Sequence, residues 1–286
     1  MKLNEYLIFL LLKFLSCLAR KINLQKRVIL AQKISSFIYV FAPIRKTTAK
    51  NNINRAFPKY SKKMKEHILK KSYTFFMEQF LLFLGFPESY KQYNIRVENK
   101  NIFDSNLLKK RGILYITGHF GLWEFVIAWF GKNNYPLTGI AQKQKNKGAH
   151  DFFIRQREWS GIKHVFRKDS FNKMNMVLEK GDILGLVSDQ DAKDKGVFVN
   201  FFNILSSTHK GPARFYKEKG ATPIFGVCIK ESYNQLFIKF TEIRAENLFD
   251  TFSFTQTYSN MLEHEIRRHP EQYFWWHKRW KTQPKH

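Results

Sequence analysis

The sequence predicts an α/β fold in which a mainly parallel central sheet is flanked by helices, with an apolar N-terminal helix that associates with a membrane. From Val97 onward, β-prone stretches alternate with helical stretches, which is typical of a parallel sheet. The chain has 286 residues, 44% of them hydrophobic, which is enough for a substantial core. No internal repeat or Pro/Gly/Ser-rich linker divides it. We therefore expect N-terminal membrane-associating helices in residues 1–44 and one further domain over residues 45–286.

The first 44 residues carry two apolar stretches. Residues 7–19 are strongly apolar, but they are short for a comfortable bilayer span and Lys13 interrupts them. A spanning helix and a helix lying in the membrane plane are equally compatible with this pattern. Basic residues are denser after the stretch than before it, which predicts that the bulk of the chain stays cytoplasmic. Residues 28–41 predict a second apolar helix, and the alternative for both stretches is a pair of core helices.

The later elements follow from turn signals, capping signals and periodicity. Residues 58–61 are typical of a turn and a helix N-cap, and they predict a Lys-rich amphipathic helix to about Phe83. The alternating strands and helices are then predicted at residues 113–116, 121–130, 137–141, 149–160, 171–179, 183–188, 212–219, 223–229 and 236–241. A last helix is predicted near residues 252–268.

A histidine and a carboxylate follow the first of these strands. His119 comes directly after Gly118, and Glu124 lies five residues further on. Positions five apart diverge by roughly 140° on a regular helix, so His119 is expected in the loop, with the helix beginning near Gly121 or Leu122. From the first helical turn Glu124 can orient the imidazole and raise the basicity of its other nitrogen. The pair is a candidate general base with its orienting group; the alternative is a loop histidine beside an ordinary N-terminal helix acid.

Two further polar pairs are candidate ligand-binding residues. Arg155 and Arg157 lie at the end of a predicted helix, where one can bind a phosphate while the other is solvated; a plain basic surface is the alternative. Asp189 and Asp191 follow the apolar strand 183–187, at the edge where open α/β sheets bind ligands. Two carboxylates alone are weak evidence for a metal ion, so we expect no metal site.

Charge and cysteine content narrow the choice of partners. Lys and Arg number 49 against 23 Asp and Glu, and this formal charge of +26 indicates an anionic partner: nucleic acid, membrane surface, acidic protein or phosphorylated substrate. The two cysteines offer neither a disulfide framework nor zinc-ligand spacing. Residues 269–281 mix tryptophans with cations, which suits a membrane interface or base stacking beside phosphates.

Five stretches, taken in order, resemble the motifs of one family. They are residues 45–58 with an arginine, an asparagine and Phe-Pro; residues 119–124, His-Phe-Gly-Leu-Trp-Glu; the region of Arg157; residues 189–202; and residues 270–282. Together they resemble the bacterial lipid A biosynthesis acyltransferases of the late (lauroyl/myristoyl) type, within the lysophospholipid acyltransferase-like superfamily. Ser188 and Asn203 depart from that pattern, where a proline and a glycine are usual. These departures bear on the shape of the pocket more than on the chemistry.

The resemblance implies a glycerolipid acyltransferase-like fold and an enzyme that transfers a fatty acyl group. The donor would be an acyl carrier protein thioester and the acceptor a hydroxyl of a lipid A precursor, with residues 45–286 as the catalytic domain. His119 would be the general base and Glu124 its orienting group. No cofactor is required for this transfer. The expected location is the inner (plasma) membrane, with the catalytic domain on the cytoplasmic face and the anionic membrane surface as a further partner.

The resemblance also assigns the candidate binding residues. Arg155 or Arg157 would hold the glucosamine phosphate or the phosphopantetheine of the carrier protein. Asp189, with Asp191 beside it, would position the sugar or neighbouring cations.

Two other functions remain open at this point. A related glycolipid or lysophospholipid acyltransferase with an acyl-CoA donor would share the mechanism and differ in its substrates. A membrane-associated nucleic-acid-binding protein would use the positive charge and the tryptophan-rich tail, and it predicts oligonucleotide binding with a steep salt dependence. The sequence contains no recognised nucleic-acid motif, so no nucleic-acid partner is expected.

Overall fold

A seven-stranded sheet carries helices on both faces in the computed structural model, which describes residues 2–167, 169 and 171–284. The helices of the described chain are α1 (Leu3–Arg20), α2 (Leu24–Phe41), α3 (Lys46–Ala56), α4 (Lys62–Leu84), α5 (Asn101–Leu108), α6 (Trp123–Lys132), α7 (Lys147–Glu158), α8 (Phe171–Glu179), α9 (Gly211–Lys219) and α10 (Thr251–Arg268). The strands are β1 (Asn94–Glu98), β2 (Ile113–Thr117), β3 (Leu137–Ala141), β4 (Lys163–Phe166), β5 (Ile183–Val187), β6 (Val197–Phe201), β7 (Ile204–Thr208), β8 (Thr222–Lys230) and β9 (Gln235–Glu242).

The strand order in the sheet is β1-β9-β8-β2-β5-β3-β4. Neighbouring strands run parallel except for β8 and β9, so the predicted mainly parallel sheet is confirmed. Strands β6 and β7 form a separate antiparallel hairpin. Strand β2 is buried along its whole length between the two helical layers, which is why its sequence is continuously apolar rather than alternating.

Local sequence signals account for the ends of several helices. Ser61 caps α4 by accepting a hydrogen bond from the backbone N–H of Met64 at 3.2 Å, as the turn signal predicts. Helix α6 begins at Trp123, one or two residues later than expected, and His119 lies in the loop before it as predicted. The loop between β2 and α6 therefore carries the histidine at the carboxyl edge of the sheet.

The two N-terminal helices pack against the rest of the fold. Helix α2 lies along α4, and α1 contacts α7. Arg27 of α2 is fully buried and donates to the carbonyl oxygens of Ala19 and Ile22 and to Oε1 of Gln92, at 2.7–3.0 Å. Burial lowers the pKa of this guanidinium from its usual value. These hydrogen bonds join α1, α2 and the region after α4, while the boundary after residue 44 stays a prediction.

Among the described residues, no single helix has both the length and the apolar character needed to cross a membrane. Helices α2 and α3 meet that test only as a pair, and the chain bends by 99° between them. Large apolar side chains are nevertheless exposed on α1 and α2. They are Leu3, Tyr6, Leu7, Ile8, Leu10, Leu11, Phe14, Leu15 and Leu18 on α1, and Ile29, Phe37, Val40 and Phe41 on α2, followed by Ile44.

Candidate active site

The loop that carries His119 is fixed from two sides. The backbone N–H of Leu122 donates to the carbonyl oxygen of Cys228 on β8 at 2.8 Å. On the other side, the N–H of Phe274 donates to the carbonyl oxygen of His119 at 3.0 Å. Gly121 has a φ of +60°, and a Cβ there would lie 1.9 Å from the Cys228 oxygen, so only glycine fits. The loop thus holds the imidazole in place while leaving 26% of its side chain exposed.

Asp189 is the carboxylate that meets this imidazole. Strands β2 and β5 are parallel neighbours, so their carboxyl ends bring His119 and Asp189 together. Nδ1 of His119 lies 2.7 Å from Oδ1 of Asp189, whose side chain is only 3% exposed. The ring nitrogen opposite, Nε2, is then the one available to a substrate.

The acidity of Asp189 determines which atom carries the proton. Burial acts to raise its pKa, but the charge and hydrogen bonds of His119, with the more distant charge of Arg279, outweigh burial and bring the pKa down to about 2. The carboxylate is therefore ionised at neutral pH and accepts a hydrogen bond from Nδ1–H. In the neutral imidazole, a proton kept on Nδ1 by that bond leaves the lone pair on Nε2.

Glu124 does not take the position that the sequence analysis expected. Both of its oxygens accept hydrogen bonds from Nε of Arg157, at 3.0 and 3.1 Å, and Oε1 also accepts one from Nη2 at 2.7 Å. Nε1–H of Trp123 donates to the same oxygen at 3.2 Å. In the described part of the chain no hydrogen bond joins Glu124 to His119. The predicted orienting contact is therefore wrong: Glu124, in the first turn of α6, is bound to Arg157 of α7, and Asp189 is the carboxylate beside Nδ1 of His119.

The other predicted binding residues lie in three different places. Arg157 is half-buried beside Glu124, and Arg155 is exposed with its guanidinium 5.5 Å from the ring centre of Phe9 on α1. Asp191 accepts hydrogen bonds from the backbone N–H and the hydroxyl of Thr282, at 3.3 and 3.0 Å. Asp191 therefore ties down the C-terminal segment, whereas Asp189 contacts His119. No group of three His, Cys, Asp or Glu side chains suitable for a metal ion occurs among the described residues.

A comparison of the whole sequence with known families identifies the chain. The model described as "Bacterial lipid A biosynthesis acyltransferase" matches residues 1–282, nearly the full length. The chain belongs to the bacterial lipid A biosynthesis acyltransferase family. It is accordingly an enzyme that transfers acyl groups, as the five motifs predict.

Named relatives of this acyltransferase are distant. The "Lipid A biosynthesis palmitoleoyltransferase" of Escherichia coli (strain K12) is 23% identical over 272 residues, which covers 89% of this chain and 85% of the relative. The "Phosphatidylinositol mannoside acyltransferase" of Mycolicibacterium smegmatis is 26% identical over 115 residues, 39% of this chain and 38% of the relative. A crystal structure of the 1-acyl-sn-glycerophosphate (LPA) acyltransferase from Thermotoga maritima aligns with a TM-score of 0.38 and 12% identity, over 88% of this chain and 99% of that one.

Aromatic side chains form one wall of the candidate active site. The rings of Trp123 and Phe274 lie 5.3 and 6.0 Å from the imidazole of His119. Phe76 of α4 lies behind them, with its ring centre 5.9 Å from Trp123, 5.4 Å from Phe274 and 5.1 Å from Trp276. The imidazole of His119 therefore lies beside a largely apolar surface.

The closing segment of the acyltransferase contributes residues to which sequence reasoning gave no role. Tyr273 is buried near Asp189; burial and the charge of Asp189 raise the pKa of this phenol well above its usual value. Arg279 is also buried and donates to the Ser207 carbonyl at 2.7 Å and the Thr208 hydroxyl at 2.5 Å. Both residues lie within the motif at 270–282. The motif itself does not show which distant residues they contact.

Proposed function

We propose that this acyltransferase moves a fatty acyl chain from an acyl carrier protein thioester to a hydroxyl group of a lipid A precursor. The observation that carries the proposal is the 2.7 Å contact between Nδ1 of His119 and Oδ1 of Asp189, which frees Nε2 to act as a base. Membership of the lipid A biosynthesis acyltransferase family supports the lipid A acceptor. Within this proposal His119 is the catalytic base, and Asp189, instead of Glu124, orients and charges it.

The proposed reaction passes one proton through Nε2. His119 takes the proton from the acceptor hydroxyl as its oxygen attacks the thioester carbonyl carbon. The tetrahedral intermediate then expels the thiolate, which recovers that proton from the imidazolium and leaves as the free thiol of the carrier. An oxygen ester replaces the thioester, and the histidine ends neutral. Asp189 stabilises the imidazolium in between, and general-base help of this kind is worth about 10²–10⁴ in rate.

Arg157 is the proposed contact for a phosphate of either substrate. Its hydrogen bonds to Glu124 use Nε and Nη2, so Nη1 remains for an anionic ligand. Glu124 then acts as a positioning residue that fixes the plane of the guanidinium. Arg155 is exposed next to α1, where we propose that it meets anionic lipid headgroups.

The proposed location is the cytoplasmic face of the plasma membrane, with α1 lying in the plane of the lipid surface. Leu3, Leu7, Leu11, Phe14 and Leu18 follow a helical spacing along one side of α1, and each is at least 45% exposed. Such a stripe gains free energy when it enters the boundary between headgroups and acyl chains. The end of α2, with Phe37, Val40 and Phe41, adds to the same kind of apolar surface.

Binding to anionic phospholipid vesicles tests this location. Removing one large apolar contact is worth about 1.5–3 kcal/mol, so Phe14→Glu should weaken vesicle affinity by about tenfold or more. Leu108→Glu is the matched control, because Leu108 is 86% exposed on α5, away from these helices. Equal vesicle affinity for the two variants would argue against the proposed orientation.

The reaction itself is tested with a panel of donors and acceptors. Purified protein should add one acyl chain, detected as a mass gain, to a tetra-acylated lipid A precursor when supplied with acyl carrier protein thioesters. Partial matches to phosphatidylinositol mannoside acyltransferases make another glycolipid the second candidate acceptor, with acyl-CoA as the donor. Transfer to such a glycolipid, without transfer to the lipid A precursor, would replace the first proposal with the second.

A further inference from the structure

A strongly basic surface lies beside the candidate active site. Residues 45–71, which span α3, the turn after it and the first ten residues of α4, contain ten lysines and arginines but only one acid, Glu66. The cations are Arg45, Lys46, Lys50, Arg55, Lys59, Lys62, Lys63, Lys65, Lys70 and Lys71. We call this surface the basic platform.

The charge of the basic platform is uncompensated. Eight of its ten cations are exposed, and the other two, Lys46 and Lys65, are partly buried. In the described structure none of the ten forms an ion pair with an acidic side chain. An excess of exposed like charges within one segment does not stabilise the fold, but it attracts an acidic partner.

The basic platform is tied to the wall of the site. Nδ2 of Asn52, on α3, donates to the carbonyl oxygens of Trp275 and His277 at 2.7 and 2.6 Å. Helix α4 runs without interruption from the platform to Phe76, which packs against Trp276 and Phe274. Five residues of helix separate Lys71 from Phe76, a rise of about 7–8 Å. A partner bound on the platform is therefore held close to the opening beside His119.

A cleft extends the basic surface toward α10. It has a volume of about 750 Å³ and lies between the first turns of α4 and the end of α10. Its lining includes the cations Lys71, Arg267 and Arg268 and one acid, Glu271; Arg267 is paired with Glu263. Met64 and Ile68 add apolar surface at the same place. This combination suits the side of an acidic helix better than a free anion.

We propose that the basic platform is the docking surface for an acidic protein that carries the acyl donor as a thioester. This inference rests on the proposed function, because it names the surface at which the donor is delivered. A protein partner is favoured over a lipid surface because the exposed apolar side chains cluster on α1, α2 and residue 44, while the described platform exposes only Tyr60 and Met64 among its large apolar groups.

Charge reversal at two matched sets of three lysines tests the docking surface. The platform variant combines Lys50→Glu, Lys62→Glu and Lys63→Glu. The control variant combines Lys109→Glu, Lys180→Glu and Lys217→Glu, all exposed near the amino end of the sheet and changing the net charge by the same amount. The affinity of each for purified holo-acyl carrier protein is measured by titration calorimetry, and thermal denaturation checks that both are folded.

The platform variant should bind the carrier protein about 10- to 100-fold more weakly than the wild type, while the control stays within about threefold. The wild-type affinity should also fall as salt is added, because exposed charges are screened. Equal losses in both variants, or no carrier binding by the wild type, would overturn the inference. The inference would also be overturned if the platform variant still bound the carrier protein but no longer bound anionic vesicles, because the surface would then be a membrane-binding one. Because binding is read directly, an enzyme that bound the carrier but acylated no acceptor would refute the proposed function and leave the docking surface standing.

Discussion

Replacing Asp189 with asparagine separates the two carboxylates that can be credited with orienting His119. The side chain keeps its shape and can still accept a hydrogen bond through its oxygen, but the negative charge beside the imidazole is lost. The matched change is Glu124→Gln, which removes the same charge from the carboxylate that faces Arg157. If the 2.7 Å contact is the catalytic one, only Asp189→Asn should remove most of the rate.

The lowered pKa of Asp189 gives an order of magnitude for that loss. Asp189 has a pKa of about 2 in the fold against an ordinary 3.8, a difference of roughly two units. Two units correspond to about 2–3 kcal/mol of interaction between the ionised carboxylate and its surroundings, chiefly His119, or about 10² in an equilibrium. General-base catalysis as a whole supplies about 10²–10⁴, so Asp189→Asn should lower kcat by a factor in that range.

The assay is the initial rate of acyl transfer over a range of donor and acceptor concentrations. Glu124→Gln should act mainly on KM for the phosphorylated substrate, since it loosens Arg157 without touching His119. An Asp189→Asn enzyme within threefold of the wild-type kcat would refute the reasoning. A loss of kcat in Glu124→Gln as large as that in Asp189→Asn would return the orienting role to Glu124.

Three predictions concern folding, each checked by chemical denaturation. Gly121→Ala should cost about 2–4 kcal/mol, because the new Cβ meets a β8 carbonyl oxygen at 1.9 Å, whereas Gly211→Ala, with no atom within 4 Å, should change stability by less than about 1 kcal/mol. Glu78→Gln should cost about 3–5 kcal/mol, since it leaves the largely buried Lys230 without its partner. The lowered pKa of Asp189 means that its contribution is present above pH 3.8 and is lost as the pH falls through about 2, so the stability gap between wild type and Asp189→Asn should narrow over that range; an unchanged gap would contradict the assignment.

The sequence alone was sufficient to predict a mainly parallel sheet and to place His119 in the loop after one of its strands. Buried parallel strands are continuously apolar, and the glycine, the histidine and the following helix produce a loop at the carboxyl edge whatever the neighbouring strands are. Those signals are local. They therefore predicted the mainly parallel sheet and the loop before α6, both of which the structure confirms.

The partner of His119 could not be predicted in the same way. Asp189 lies 70 positions further along the chain, and the two meet because β5 pairs with β2 in the sheet, with β3 and β4 beyond it. Strand order is set by the packing of the helices between the strands, which a single sequence does not reveal. Glu124 is nearer to His119 in sequence, but its carboxylate forms hydrogen bonds with the guanidinium of Arg157 on α7. The C-terminal residues Tyr273 and Arg279 reach the site for the same non-local reason.

The most direct test of the account is acyl transfer by the His119→Ala enzyme, followed by mass spectrometry of the lipid product. Purified protein, acyl carrier protein thioester and a tetra-acylated lipid A precursor are combined, with the wild type run in parallel. The account predicts a mass gain of one acyl chain with the wild type and a rate at least about 10²-fold lower with the variant. A His119→Ala enzyme that acylates the precursor at the wild-type rate would contradict it.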